Sequence, residues 1–260
     1  MAPIAPIAEA DSFPVPLIDG GGLYGQGRNT APAAHRAAGI ASGALVPASG
    51  AVVAAIGMSN TRIEFDDFAT RARTDARLVD AACARCAARA WDGGRVDPAW
   101  DLAASALASA GVQGRDIDVV WVKMAIEPHL AVTTASLEAI LAQIKIRWPN
   151  VRQVFVSDRI YAGYIERLPR GHTSGEPQGG WAAGPAVRQF VLNHLGETDP
   201  FVDWGPYLWA NGSTPRRDGL AWNRADFRPD GVHPNAQGAA KVGNRLVQFF
   251  ATSPATEWYR

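Results

Sequence analysis

Ala51-Val52-Val53-Ala54-Ala55-Ile56-Gly57-Met58-Ser59-Asn60-Thr61 is the stretch on which the fold turns. Residues 51–57 form a continuous apolar run without alternation, the pattern of a strand buried on both faces. Gly57 lets the chain turn without a Cβ in the way. Helical spacing begins at about Arg62. Strand, turn and helix in that order make the first half of a parallel-sheet unit.

The same pattern recurs outward from this stretch. Apolar runs at 117–125 and 151–157, and a weaker one at 77–82, alternate with helical segments at 62–73, 98–110, 133–147 and 185–195. In 133–147, Leu137, Ile140, Leu141 and Ile144 make one apolar face, and Trp148-Pro149-Asn150 stops the helix. The alternation predicts one α/β domain over 51–260, with a mainly parallel sheet of about five strands. Residues 1–50, rich in Pro, Gly and Ala, read as an irregular arm packed on that domain, with a short helix at 31–42. Residues 197–230 read as a long loop carrying Trp204, Tyr207, Trp209, Trp222 and Phe227. A last helix begins near Pro234-Asn235, with Asn235 as cap and Ala239, Val242, Leu246 and Phe249/Phe250 as its apolar face.

Ligands of open α/β sheets bind beyond the carboxyl ends of the strands. Ser59 is placed there, near a helix N-terminus that favours developing negative charge. A serine is a weak nucleophile until a base takes its proton. The best base is in Asp230-Gly231-Val232-His233, just before the last helix. An aspartate three residues before a histidine can hold Nδ1–H and leave Nε2 free to accept a proton. His35, His129, His172 and His194 have no such neighbour.

These two blocks, with Asn29-Thr30-x-Pro32-Ala33-Ala34-His35, Ser157-x-Arg159-Ile160-Tyr161-Ala162-Gly163-Tyr164 and Trp204-Gly205-Pro206-Tyr207-Leu208-Trp209, resemble the SGNH hydrolase superfamily (GDSL-like lipases and esterases), over roughly residues 23–250. The resemblance is closer still to a bacterial group of SGNH-like proteins. It implies a three-layer, flavodoxin-like fold and, for many members, hydrolysis of O-acyl esters; the leading expectation here is an esterase acting on short-chain or acetyl esters, carbohydrate esters among them, through an acyl-Ser59 intermediate. It implies no cofactor and no metal. Two departures bear on the oxyanion hole. The Gly of the family's second block falls at Arg85, whose backbone N–H remains. The Asn after the third strand falls at Ile126, which donates nothing. Loss of one such donor costs about 3 kcal/mol in the transition state. Asn60 is the nearest substitute, beside the Ser59 N–H.

Arg159 and Tyr161 follow an apolar run and so belong at the same sheet edge, as substrate contacts or, for Arg159, in a salt bridge holding the loop. Trp204, Tyr207 and Trp209 offer a stacking platform for sugars. That is the basis of a second reading, a catalytically weak carbohydrate-binding protein. Trp222 and Phe227 read as loop packing. Cys83 and Cys86 are open between a redox pair, half a zinc site and two small side chains in an Ala-rich segment. A thiol oxidoreductase is a third reading.

Hydrophobic residues make up 47% of the 260 residues, charged residues 19%, and the formal net charge is zero. This is a globular composition that favours neither nucleic acid nor membrane surfaces as partners. The expected partner is a small-molecule or carbohydrate ester, and the oligomeric state is left open. MAPIAPIAEADSFPVP lacks a leader's basic region and apolar core. The compartment therefore stays open between the cytoplasm and, had a leader been removed, the periplasm or exterior.

Overall fold

A computed structural model describes residues 21–93 and 98–260. Residues 1–20 of the expected arm lie outside the described residues. Strands β1 (Val52–Gly57), β2 (Arg77–Asp80), β3 (Val119–Lys123), β6 (Gln153–Ser157) and β7 (Phe201–Trp204) form a five-stranded sheet in the order β2-β1-β3-β6-β7. Every pairing is parallel. A short antiparallel pair, β4 (Ala125–Glu127) and β5 (Leu130–Ala131), follows β3.

The helices are α1 (Ala33–Gly43), α2 (Ser59–Arg71), α3 (Ala99–Ser109), α4 (Thr134–Arg147), α5 (Ala183–Asn193) and α6 (Ala236–Thr252). They make the outer layers of a three-layer, flavodoxin-like α/β fold. Strand side chains alternate between the two faces. Val52, Ala54 and Ile56 of β1 join Leu107, Ile140, Ile144 and Phe190, beneath α3, α4 and α5. Val53 and Ala55 join Phe65, Phe68, Val242, Leu246 and Phe250, beneath α2 and α6. The run is continuously apolar because both faces are covered.

Four strands lie where the apolar runs place them. The fifth, β7, is a correction: it lies in the expected loop 197–230. Only Phe201-Val202-Asp203-Trp204 are strand, and Asp203 interrupts the apolar run. Asp203 accepts from the hydroxyl of Tyr24, and Trp204 Nε1 donates to the Leu23 carbonyl, so residues of the arm cover this edge. Helix α2 starts at Ser59, with Met58 as its cap residue, ahead of the expected start at 62. Asn235 caps α6 as expected, accepting from the N–H groups of Gln237 and Gly238.

Candidate active site

The turn from β1 to α2 is clamped to β3. Met58 N–H donates to the Thr61 hydroxyl at 3.2 Å, and that hydroxyl donates to the Lys123 carbonyl at 2.7 Å. A Cβ on Gly57 would stand 2.2 Å from the Thr61 oxygen and 2.3 Å from the Lys123 carbonyl oxygen, so only glycine fits. The clamp sets Ser59 at the first position of α2, where the backbone N–H groups have no intrahelical acceptor.

The turn before α6 is built from its own hydrogen bonds. Asp230 Oδ1 accepts from the N–H groups of Val232 and His233, at 2.9 and 3.0 Å. Its Oδ2 lies 2.7 Å from His233 Nδ1. Gly231 takes φ +66, and a Cβ there would run into the Tyr164 carbonyl. Partial burial pushes the Asp230 carboxyl up. The hydrogen bonds from His233 and Val232 outweigh this and hold it below the usual carboxylate range. An ionised Asp230 can only accept, so Nδ1 carries the proton and Nε2 is an acceptor.

The two turns meet. Ser59 Oγ lies 2.9 Å from His233 Nε2, across 174 positions of sequence. Asn60 fixes the meeting by donating from Nδ2 to the Val232 carbonyl at 2.9 Å. Asn60 is therefore a clamp between turns. This bond takes one of the two N–H groups of its buried amide.

Ser59 and His233 open on a cleft of about 280 Å³ with apolar walls from Met58, Ile126, Pro128 and Val232. Arg85 and Arg159 also line it. Arg85 has φ +69, the left-handed region that favours glycine. This is the position to which the resemblance assigns a glycine. The strain is held by a short ring, since Cys83 and Cys86 are joined by a disulfide around it. The ring is tied to β1 by Cys83 N–H donating to the Gly57 carbonyl at 3.2 Å. The two small side chains of the Ala-rich segment are thus bonded to each other. Neither Arg85 N–H nor Ser59 N–H has an acceptor among the described residues. Ile126, on the wall, offers no donor.

Other expected contacts are corrected. Trp204, Tyr207 and Trp209 are 3%, 6% and 0% exposed, and none lines the cleft. Trp209 Nε1 donates to Glu176 at 2.9 Å, and the Arg216 guanidinium lies 5.0 Å over the Tyr207 ring. Buried rings with satisfied polar ends offer no stacking platform. Tyr161 is half-buried against Tyr164 and does not line the cleft. Arg159 does line it, and it holds the loop through carbonyls instead of a salt bridge. Trp222 and Phe227 are packed in the core, as expected.

Sequence reasoning missed the polar groups behind the cleft. Lys123 Nζ donates to both carboxylate oxygens of Glu64, at 2.8 and 2.6 Å, with both residues buried. Burial pushes Glu64 up and Lys123 down, and each partner opposes the other's shift. Asp158 accepts from the N–H groups of Leu208 and Trp209, and burial pushes its carboxyl up to about 7. The available signal was a charge on each of two buried faces: Lys123 in a continuous strand, and Glu64 one turn before Phe68.

No protein-family model and no curated protein matches the chain. Solved structures resemble it at low identity. A protein from Streptococcus pneumonia described as "a putative platelet activating factor" is 13% identical, with a TM-score of 0.46, over 83% of this chain and 92% of that one. The lipase Lip_vut3 from a goat rumen metagenome is 12% identical, with a TM-score of 0.39, over 75% of this chain and 95% of that one. At these identities and scores neither likeness bears on what the chain does.

Proposed function

We propose that the chain is a serine ester hydrolase of the SGNH type, with Ser59 as nucleophile, His233 as general base and acid, and Asp230 as the group that orients His233. The observation that carries this reading is the Ser59–His233–Asp230 relay, 2.9 and 2.7 Å, facing a cleft at the carboxyl edge of a parallel sheet. His233 Nε2 takes the proton as Ser59 Oγ attacks the ester carbonyl. The oxyanion points to the N–H groups of Ser59 and Arg85. His233 returns the proton to the departing alcohol. It then takes a proton from the water that attacks acyl-Ser59, and returns it to Ser59 Oγ as the acyl–oxygen bond breaks and the acid leaves.

The small apolar cleft suits a short acyl chain. The His233 and Asp230 side chains are 31% and 47% exposed, which leaves the relay open to solvent and to a bulky alcohol such as a sugar. A carbohydrate-binding role without catalysis loses its support, because the rings it would use are buried. The test is hydrolysis of 4-nitrophenyl esters from acetate to octanoate, with covalent labelling by a fluorophosphonate read by mass spectrometry. Activity falling with chain length and a label on Ser59 are expected. A folded protein that neither turns over these esters nor takes the label ends the reading.

A further inference from the structure

Arg159 is a buried cation with no carboxylate in direct contact among the described residues. It follows β6 at the carboxyl edge and is 3% exposed. Its Nη1 donates to the carbonyls of Pro128 at 2.9 Å, Gly179 at 3.1 Å and Glu127 at 3.4 Å. Carbonyls orient a guanidinium but leave its charge unbalanced. Among the described residues no carboxylate comes within 4.0 Å of it. Two carboxylates act on it from farther away: Glu64 is paired with Lys123, and Glu176 keeps its charge but makes no contact with the guanidinium. Glu176 accepts from the N–H groups of Ala162 and Trp181 and from the Trp209 indole, and Glu64 from Lys123.

A buried charge without a partner is expensive, and arginine does not escape by losing its proton. The remaining nitrogens show where compensation would come from. Nε and Nη2 have no acceptor among the described residues. Arg159 lines the cleft shared with Ser59 and His233. The Nε–Nη2 edge is a planar fork that matches two carboxylate oxygens. Arg85 adds a second guanidinium at the lining, and the one carboxylate there, Glu127, is paired with Arg89.

We infer that the cleft selects esters that carry a carboxylate close to the scissile bond, with Arg159 receiving that carboxylate through Nε and Nη2. This rests on the ester-hydrolase reading of the site. The cleft is small, so the charge must lie within a few bonds of the ester carbonyl. Arg159 is thereby a specificity-determining residue, acting on which ester is bound and not on the proton relay.

Two matched substrate pairs test this. In one the charge is on the alcohol side (3-acetoxybenzoate against 3-acetoxybenzamide). In the other it is on the acyl side (4-nitrophenyl hemiadipate against 4-nitrophenyl hexanoate). For the wild-type protein, kcat/KM should favour the anionic member of one pair by about ten-fold or more, roughly what a charge-assisted fork contributes. The responding pair locates the carboxylate. Arg159→Gln should bring that ratio close to one. If Arg159→Gln does not fold, Arg159→Lys serves, since a point charge without the fork should lower the ratio several-fold.

Ratios near one in both wild-type pairs, or a ratio that neither variant moves, overturn the inference and leave the hydrolase reading standing. If no ester is turned over, the hydrolase reading fails and binding decides the rest. Calorimetric titration of the Ser59→Ala protein with 3-acetoxybenzoate and 3-acetoxybenzamide should then show a preference for the carboxylate that Arg159→Gln or Arg159→Lys weakens. Equal affinities end the inference as well.

Discussion

In the turn that carries Ser59, every clamp runs into the core: Asn60, Thr61 and Glu64 are at most 2% exposed and hold β3 or the neighbouring turn. In the turn that carries His233, the clamps are local. Asp230 takes two backbone N–H groups and one ring nitrogen from the two residues that follow Gly231, in the open. The proposed nucleophile inherits its position from the packing of the whole domain, and the proposed base from a few hydrogen bonds near the surface. Changes to the clamps of the first turn should therefore move stability and rate together. Changes in the second should move rate alone.

The largest effect expected is that of Ser59→Ala, which should remove about 10⁴- to 10⁶-fold of kcat and leave the melting temperature nearly unchanged. Substantial residual turnover in a verified variant would mean that another nucleophile acts. Next comes Asp230→Asn. The side-chain oxygen can still accept a backbone N–H, but the amide cannot hold the protonated Nδ1 as a carboxylate does. A fall in kcat of about 10³- to 10⁴-fold is expected, with unfolding in urea little altered. Equal losses of stability and rate would erase the contrast between the two turns.

Thr61→Val sharpens the contrast from the other side. It strands the Met58 N–H and the Lys123 carbonyl, each worth about 1–3 kcal/mol when left buried and unpaired. Denaturant unfolding and kcat should fall together. Ile126→Asn comes next. If the cleft wall lacks a donor at this position, the new amide should raise kcat by about ten-fold with a smaller change in KM. No change would place the oxyanion away from β4.

A last effect, on stability alone, lies behind both turns at Asp158. Its carboxyl titrates near 7 when folded and near 3.8 when unfolded. Between those pH values the unfolded chain has released a proton that the folded chain keeps. Stability should thus decline as pH rises from 4 to 7, by on the order of 1 kcal/mol per pH unit, and level off above. Urea titrations of wild type and Asp158→Asn across that range measure the difference. A wild type that loses nothing relative to the variant contradicts the assignment.

Regions with strong periodicity were legible in the sequence. Leu137, Ile140, Leu141 and Ile144 are all buried on α4, and the run at 52–57 is a central strand. The two turns were legible because glycines and a local Asp–His spacing leave a mark on four or five consecutive residues. What could not be read depends on partners distant in sequence. The strand at Phe201–Trp204 is short and broken by an aspartate, and it is a strand because β6 lies beside it. The aromatics of the 197–230 segment were visible as aromatics, but which way each ring faces is decided by the sheet and by Leu23, Asp158 and Glu176. A Cys-x-x-Cys spacing likewise could not say that its ring would hold Arg85 in a left-handed conformation.

Helices α2 and α6 lie so close that a Cβ on Gly243 would stand 2.2 Å from the Asp67 side chain and 3.1 Å from the Phe68 nitrogen. One of these helices begins with Ser59, the proposed nucleophile, and the other follows closely on His233, the proposed base. Such contacts close a loop of most of the chain and are among the last a folding protein can make. Regain of hydrolysis after dilution from denaturant should therefore trail the recovery of helical signal. A nascent chain should stay inert until its final helix has emerged and docked, so that catalysis reports the completion of the fold.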